Sequence, residues 1–265
     1  MASNLTGVYE TKLKDGTRSY RASITYKGKH IALGSFSTAR AAGKAYEQAQ
    51  KILENKEWTL DSYRSNQTLP FEKCVVLVNY RDKGLYIPTP IYLEKKFFIY
   101  YLSPQQTLIF DIDDLFYYSS HKIMQRGSHL FVADYGSQIS ILSRYGIKSY
   151  AVEGRDYRFL NGNSSDLRYE NIEILNRYYG VRQYAERGFL KYKAIIHIKG
   201  DFVIGKYNTE NEAAIAYNKA ADVLKKNGIE KNYMQNYIEE LTASQYADIY
   251  MSVKISPKIL KQKAN

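Results

Sequence analysis

The sequence predicts an α+β protein in which two small modules, each a three-stranded antiparallel sheet with one helix, flank a central β-rich α+β domain. Three observations predict it. A stretch from Thr6 to Leu53 recurs from Tyr179 to Leu224. Inside each copy, period-two alternation broken by turn residues gives way to an alanine-rich run at helical spacing. Between the copies, short apolar runs separated by glycine, proline and aspartate turns read mostly as strands.

The first copy carries Gly7, Tyr20, Ala22, Ile24, Lys27-Gly28, Gly34, Phe36, Thr38, Ala45-Tyr46, Ala49 and Leu53. The second carries Gly180, Tyr192, Ala194, Ile196, Lys199-Gly200, Gly205, Tyr207, Thr209, Ala216-Tyr217, Ala220 and Leu224. The offset between copies shrinks by two residues from the first glycine to the helix tyrosine. Gaps of that kind fall in turns, where a duplicated fold tolerates them.

Module one spans 1–56. Asp15-Gly16 and Lys27-Gly28-Lys29 are hairpin signals and divide residues 5–35 into three strands. Alternation places Tyr20, Ala22 and Ile24 on one sheet face and Arg21, Ser23 and Thr25 on the other, with Tyr9 and His30 expected beside Arg21. A helix is expected from about Ala39 to Leu53, its alanines lying close on the apolar sheet face. Residues 57–72, polar and containing a proline, read as a linker.

Residues 73–175 read as the central domain. Strands are expected at Cys74–Val78, Tyr86-Ile87, Ile91–Leu93 and Phe97–Leu102. Asp111-Ile112-Asp113-Asp114 invites a metal reading. The spacing favours a helix start instead, because carboxylates sit well at the positive end of a helix dipole. His121 and His129 read as ordinary surface or hydrogen-bonded residues.

Module two spans 176–250. Lys193, Ile195 and His197 are expected on the face opposite Tyr192, Ala194 and Ile196. Thr209 and Glu212 form a capping box that starts the helix, and Asn227-Gly228 ends it. A further helix is expected from about Asn232 to Tyr250, with Tyr233, Tyr237, Leu241, Tyr246 and Ile249 as a buried stripe. That stripe is expected to pack onto its own module, with a dimer surface as the alternative. Residues 251–265, with Lys254, Lys258, Lys261 and Lys263, read as a flexible basic tail.

A formal charge of +11 and a pI near 9.3 suit a partner with many negative charges, nucleic acid before anionic membrane. The single cysteine, Cys74, rules out an internal disulfide and a cysteine-based zinc site. No apolar run reaches the length of a spanning helix and no basic-then-apolar leader opens the chain, so a soluble, cytoplasmic protein without membrane attachment is expected. The 27 tyrosines supply rings able to pack in strands, stack on bases or reach phosphates.

Both copies resemble the APETALA2/ethylene-response-factor DNA-binding domain. The resemblance rests on Gly180-Val181-Arg182-Gln183 and Ala213-Ala214-Ile215-Ala216-Tyr217 in copy two. In copy one it rests on Gly7-Val8, Leu33-Gly34, Phe36-Ser37-Thr38 and Ala45-Tyr46. It implies a sheet that lies in the DNA major groove. The family's base-contacting tryptophan is replaced by Ala32 and Val203, and its strand-two glutamate by Ser23 and Ile195. A sequence preference different from the family's is therefore expected.

The middle of the chain resembles the second half of an HNH homing-endonuclease core, through Asn161-Gly162-Asn163, Asp166, Arg168 and Glu170–Leu175. Upstream, Phe110–Asp114 and Leu142-Ser143-Arg144 parallel that family's acidic junction and its Leu-His-Arg. Aligned on Asn161-Gly162, Arg158 stands where the metal-binding aspartate belongs and Phe159 where the general-base histidine belongs. Leu167 stands at an asparagine and Ser143 at the upstream histidine. A phenylalanine takes no proton, and an arginine repels Mg²⁺ while suiting a phosphate. Asn161-Gly162 is then expected to survive as a turn and Asn171 as a local hydrogen-bond bracket.

The expected function is sequence-specific binding of double-stranded DNA by a transcription regulator derived from a homing endonuclease that has lost cleavage, with no catalytic residue, cofactor or metal. The expected contacts are Tyr9, Arg18, Arg21 and His30 in copy one and Arg182, Tyr184, Lys193 and His197 in copy two. Lys14, Lys27 and Arg158 are phosphate candidates. The alternatives are an active nuclease with a rearranged site and an RNA or single-strand binder. The resemblance implies a bacterial or phage source and association with the nucleoid.

Overall fold

Asp15-Gly16 and Lys27-Gly28 turn the alternating N-terminal run into β1 (Val8–Lys12), β2 (Arg18–Tyr26) and β3 (Lys29–Phe36), an antiparallel sheet in that order. In this computed structural model the described residues are 5–149 and 151–263. Alternation buries Val8, Ala22, Ile24, Ile31 and Leu33 against Ala42, Ala45, Ala49, Ile52 and Leu53 of α1 (Ala39–Glu54). The alanines bring the helix backbone close to the sheet. Thr38 caps α1, its hydroxyl accepting from the Ala41 N–H at 3.1 Å, which satisfies one of the helix's unpaired donors.

Immediately downstream, the stretch 57–72 connects α1 to the next helix as mostly irregular chain and buries Trp58 and Leu69 in the core of the first repeat. One expectation fails. Cys74–Val78 lies in a helix, α2 (Phe71–Lys83), whose start follows Pro70 and whose end is Gly84 in the left-handed region at φ 75°. Residues 74–78 are all buried, and a helix covered on every side loses the 3.6-residue pattern that marks a surface helix. Arg81 fastens α2 to the preceding segment. Its Nη1 donates to the carbonyls of Ile52 (2.8 Å), Asn55 (2.7 Å) and Trp58 (2.9 Å). Burial pushes the Cys74 thiol up to about 12, so it behaves as a core side chain.

Two meanders follow. β4 (Ile91–Leu93), β5 (Phe97–Tyr101) and β6 (Thr107–Asp111) form one antiparallel sheet, and β7 (Ile123–Arg126), β8 (His129–Asp134) and β9 (Ser137–Ser140) another. Tyr86-Ile87 lies outside both as irregular chain. The acidic run does start a helical segment, a 3₁₀ turn at Ile112–Asp114 running into α3 (Leu115–Ser120). β10 (Tyr157–Phe159) pairs antiparallel with β11 (Ile172–Ile174).

The second repeat reproduces the first. β12 (Val181–Glu186), β13 (Phe189–His197) and β14 (Asp201–Tyr207) form an antiparallel sheet in that order, backed by α4 (Glu210–Lys226). The register matches residue for residue. Val181 faces Ala194 as Val8 faces Ala22, and both ladders break at the same place, between Ala194/Ile195 and Ala22/Ser23. Thr209 and Glu212 make the expected capping box.

The C-terminal segment differs from expectation. Only the last part of the Asn232–Tyr250 stretch is helical, as α5 (Ala243–Ser252), and residues 229–242 run over the second repeat as irregular chain, burying Asn236 and Ile238. Two buried asparagines make this possible. The Asn236 N–H donates to Asn218 Oδ1 (2.7 Å), Asn218 Nδ2 donates to the Asn236 carbonyl (2.8 Å), and the Asn236 carboxamide accepts from the Tyr179 N–H (2.6 Å). Side chains thus supply backbone partners that a helix would otherwise provide. Tyr233, Leu241, Tyr246 and Ile249 pack on the second repeat's core, while Tyr237 is exposed.

The expected flexible tail is packed over its described length. Val253 and Ile259 are buried, the Ser256 N–H donates to the Ile204 carbonyl at 2.8 Å, and α6 (Pro257–Leu260) follows. Ile259 supplies the apolar surface that four nearby lysines obscure in the sequence.

The chain divides into two compact units, residues up to Ile141 with Asn163–Asn171, and Leu142–Gly162 with Ile172 onward. The stretch 73–175 is therefore shared between the two units. The reason is local pairing. Ile109 N–H donates to the Ser165 carbonyl and Leu167 N–H to the Ile109 carbonyl, each at 2.8 Å, which ties 163–171 to β6. Asn176 joins 155–156 to β12, donating to the Arg155 carbonyl (2.6 Å) and accepting from the Gln183 N–H (2.8 Å). No helix among the described residues is long and apolar enough to cross a membrane.

Candidate nucleic-acid interface

Each repeat packs one sheet face on its helix and turns the other away from it. On the second repeat that outer face is strongly basic. Across the three strands Arg182 stands opposite Lys193 and Lys193 opposite Lys206, while Tyr184 stands opposite Lys191 and His197 opposite Asp201. Two carboxylates lie among these cations. Lys206 pairs with Glu186 at 3.0 Å, and Asp201 takes His197 Nδ1 at 2.9 Å and Arg182 at 3.9 Å. The hydrogen bond from His197 holds the Asp201 carboxyl below its usual range, and the charges of His197, Arg182 and Arg155 add to it. The ring of Tyr184 lies below two ammonium groups, 5.2 Å from Lys206 and 6.0 Å from Lys193.

The register maps the same positions onto the first repeat. Tyr9 takes the place of Arg182, Arg21 of Lys193, Ser35 of Lys206, Thr25 of His197 and His30 of Asp201. Tyr9, Arg21, Ser23, His30, Ala32 and Ser35 line a shallow dish on this face. The positions expected to carry the resembling family's tryptophan and glutamate meet across the strands in both copies, Ser23 facing Ala32 and Ile195 facing Val203.

Most expected contact residues are brought together in this way, namely Tyr9, Arg21 and His30 on one face and Arg182, Tyr184, Lys193 and His197 on the other. Arg18 is not. It shares the strand parity of Tyr20 and Ala22, toward the helix side, and pairs with Glu10 at 3.5 Å. Lys14 is exposed in the β1–β2 turn. Lys27 occupies the β2–β3 turn at φ 45°, with Nζ donating to the Arg81 carbonyl at 3.5 Å. Arg158 is committed to Glu173, which faces it across β10 and β11. Ile195 lies on the outer side but is only 8% exposed.

No family model, curated protein or solved structure matches the chain.

Lys191 and Lys206 complete the basic face and were not among the expected contacts. Alternation alone assigns Lys191. Lys206 is displaced by the bulge at Ala194/Ile195 opposite Gly205, and a bulge reverses the parity of everything beyond it.

At the nuclease-like positions, Phe159 and Leu167 are buried hydrocarbon. Asn161-Gly162 forms a turn, with the Gly162 N–H donating to the Phe159 carbonyl at 3.1 Å and Gly162 at φ 73°. Asn171 Nδ2 brackets the neighbouring backbone, donating to the carbonyls of Asn163 (3.2 Å) and Asp166 (2.7 Å). Asp111 accepts from the Tyr169 N–H at 2.7 Å. His121 stacks on Tyr117 and His129 on Phe131. Among the described residues no group of three or more His, Cys, Asp and Glu side chains is placed to hold a metal ion.

Proposed function

We propose that the chain binds double-stranded DNA through the outer sheet faces of its two repeats and acts by occupancy, as a transcription regulator related to homing endonucleases. One observation carries the reading. Arg182, Lys193 and Lys206 form a row of like charges on adjacent strands, and like charges directly opposite one another destabilise a sheet. An anionic partner turns that cost into an attraction. A three-stranded sheet is also an element that the major groove admits, where arginine pairs with guanine and lysines reach phosphates.

The two repeats divide the work unequally. On the outer faces, copy two presents Arg182, Lys191, Lys193 and Lys206, whereas copy one presents Arg21, His30 and Tyr9. Copy two supplies most of the electrostatic attraction, and copy one adds a second intramolecular contact that raises avidity. Cleavage has no part in the proposal. Phe159, at the position of the general base, offers no lone pair for a proton, and Arg158 is held by Glu173.

Fluorescence anisotropy of labelled duplex, titrated over a series of salt concentrations, tests this. Five outer-face cations, Arg21, Arg182, Lys191, Lys193 and Lys206, predict that log K falls with log[salt] at a slope of roughly −4.5, at about 0.9 per phosphate neutralised. Duplex should outcompete single-stranded DNA and RNA. A slope near zero, or preference for the single strand, would count against the proposal.

A further inference from the structure

We infer that a cleft in the second unit, beside the outer face of the second sheet, is a phosphate-binding site centred on Lys148. The source of the phosphate, a duplex backbone, rests on the DNA-binding reading above.

The cleft lies wholly within that unit. One wall is made by residues 146–148 and 151–156, with Lys148, Arg155 and Asp156, and the other is the sheet edge at Tyr179, Arg182 and His197. It offers about 250 Å³, below the roughly 300–1,000 Å³ of pockets that enclose drug-sized molecules and ample for a phosphate group. Its arginines arrive partnered. Arg155 donates to Asp156 Oδ2 through Nη2 (2.5 Å) and Nε (2.9 Å), and Arg182 faces Asp201 at 3.9 Å.

Lys148 is different. Its ammonium stands 3.7 Å from the centroid of the Tyr179 ring, and among the described residues it has no carboxylate at ion-pair distance. Burial holds its pKa down to about 8, and the charges of Glu210 and Asp156 offset only part of that. Lys219 in the same unit shows the contrast, since its ammonium is satisfied by the carbonyls of Tyr250 (2.7 Å) and Val253 (2.8 Å). A half-buried ammonium on an aromatic face, with no carboxylate at ion-pair distance, gains from an anion that reaches it.

Position selects the anion. Arg182 and His197 belong both to the cleft and to the basic outer face. A polyanion laid across that face therefore runs past the mouth of the cleft and presents phosphates to it. A phosphate offers several acceptor oxygens, enough for Lys148 while Arg155 stays engaged with Asp156.

The test uses the full chain and the variants Lys148→Met and Lys148→Arg, with circular dichroism and thermal melting to verify the fold. Lys148→Met should melt no lower than the parent, because it removes a desolvated charge. On random-sequence duplex, Lys148→Met should reduce the magnitude of the salt slope by about 1 and weaken binding several-fold whatever the sequence, whereas Lys148→Arg should keep both. If the parent binds duplex and Lys148→Met matches it in slope and affinity, the site is overturned while the DNA-binding reading stands. If the parent binds no duplex, that reading fails, and thermal shifts with inorganic phosphate and 5′-AMP decide the site. Stabilisation of the parent but not of Lys148→Met supports a free phosphate ligand, and no stabilisation of either overturns the proposal.

Discussion

Gly180→Ala is expected to destabilise the second repeat by about 3 kcal/mol or more. Gly180 sits at φ 67°, and a Cβ there would stand under 3.0 Å from both the Ile195 carbonyl oxygen and the Tyr217 ring. Neither neighbour can yield. The Gly180 carbonyl accepts from the Ile195 N–H at 2.7 Å, which pins the strand at its bulge, and Tyr217 is fixed in the core by α4. Gly7 stands in the same relation to Ser23 and Tyr46. The control is Gly188→Ala, at φ 82° with open space around it, where left-handed strain alone costs about 1 kcal/mol. Urea denaturation of the full chain measures both.

Lys193→Glu separates binding from stability. At about 0.1 M salt one lost phosphate contact costs roughly tenfold in affinity, and reversing a charge does so about twice, so duplex binding should weaken roughly a hundredfold. The fold should respond in the opposite direction. A glutamate between Arg182 and Lys206 replaces two like-charge pairs with two attractive ones, which is worth about 0.5 kcal/mol of added stability. Anisotropy and thermal melting on the same preparation read both effects. Weaker binding together with a lower melting temperature would mean that Lys193 serves the fold and not a partner.

The repeats were legible because their defining residues form contacts. Gly180 packs on Tyr217 and Gly7 on Tyr46, and Thr209 and Thr38 cap the helices. These are short-range geometric demands that a motif records. Arg18 was also assignable, since counting from Tyr20 puts it on the helix side. The buried helix α2 was not, because a run apolar on all sides carries no period. Nor was the irregular 229–242 segment, whose backbone partner Asn218 lies one helix away in sequence. Lys206 was hidden by a bulge, and the character of Lys148 depends on Tyr179 coming to rest beside it, which no local pattern records.

The outer sheet faces are proposed to meet duplex DNA. Mass-spectrometric mapping of lysine acetylation, with and without saturating duplex, tests this most directly. Lys191, Lys193 and Lys206 on the sheet face should be protected, while Lys225 and Lys226, exposed at the far end of α4, should react as before. Equal labelling of the three sheet lysines in both conditions, or protection confined to the helix, would contradict the account.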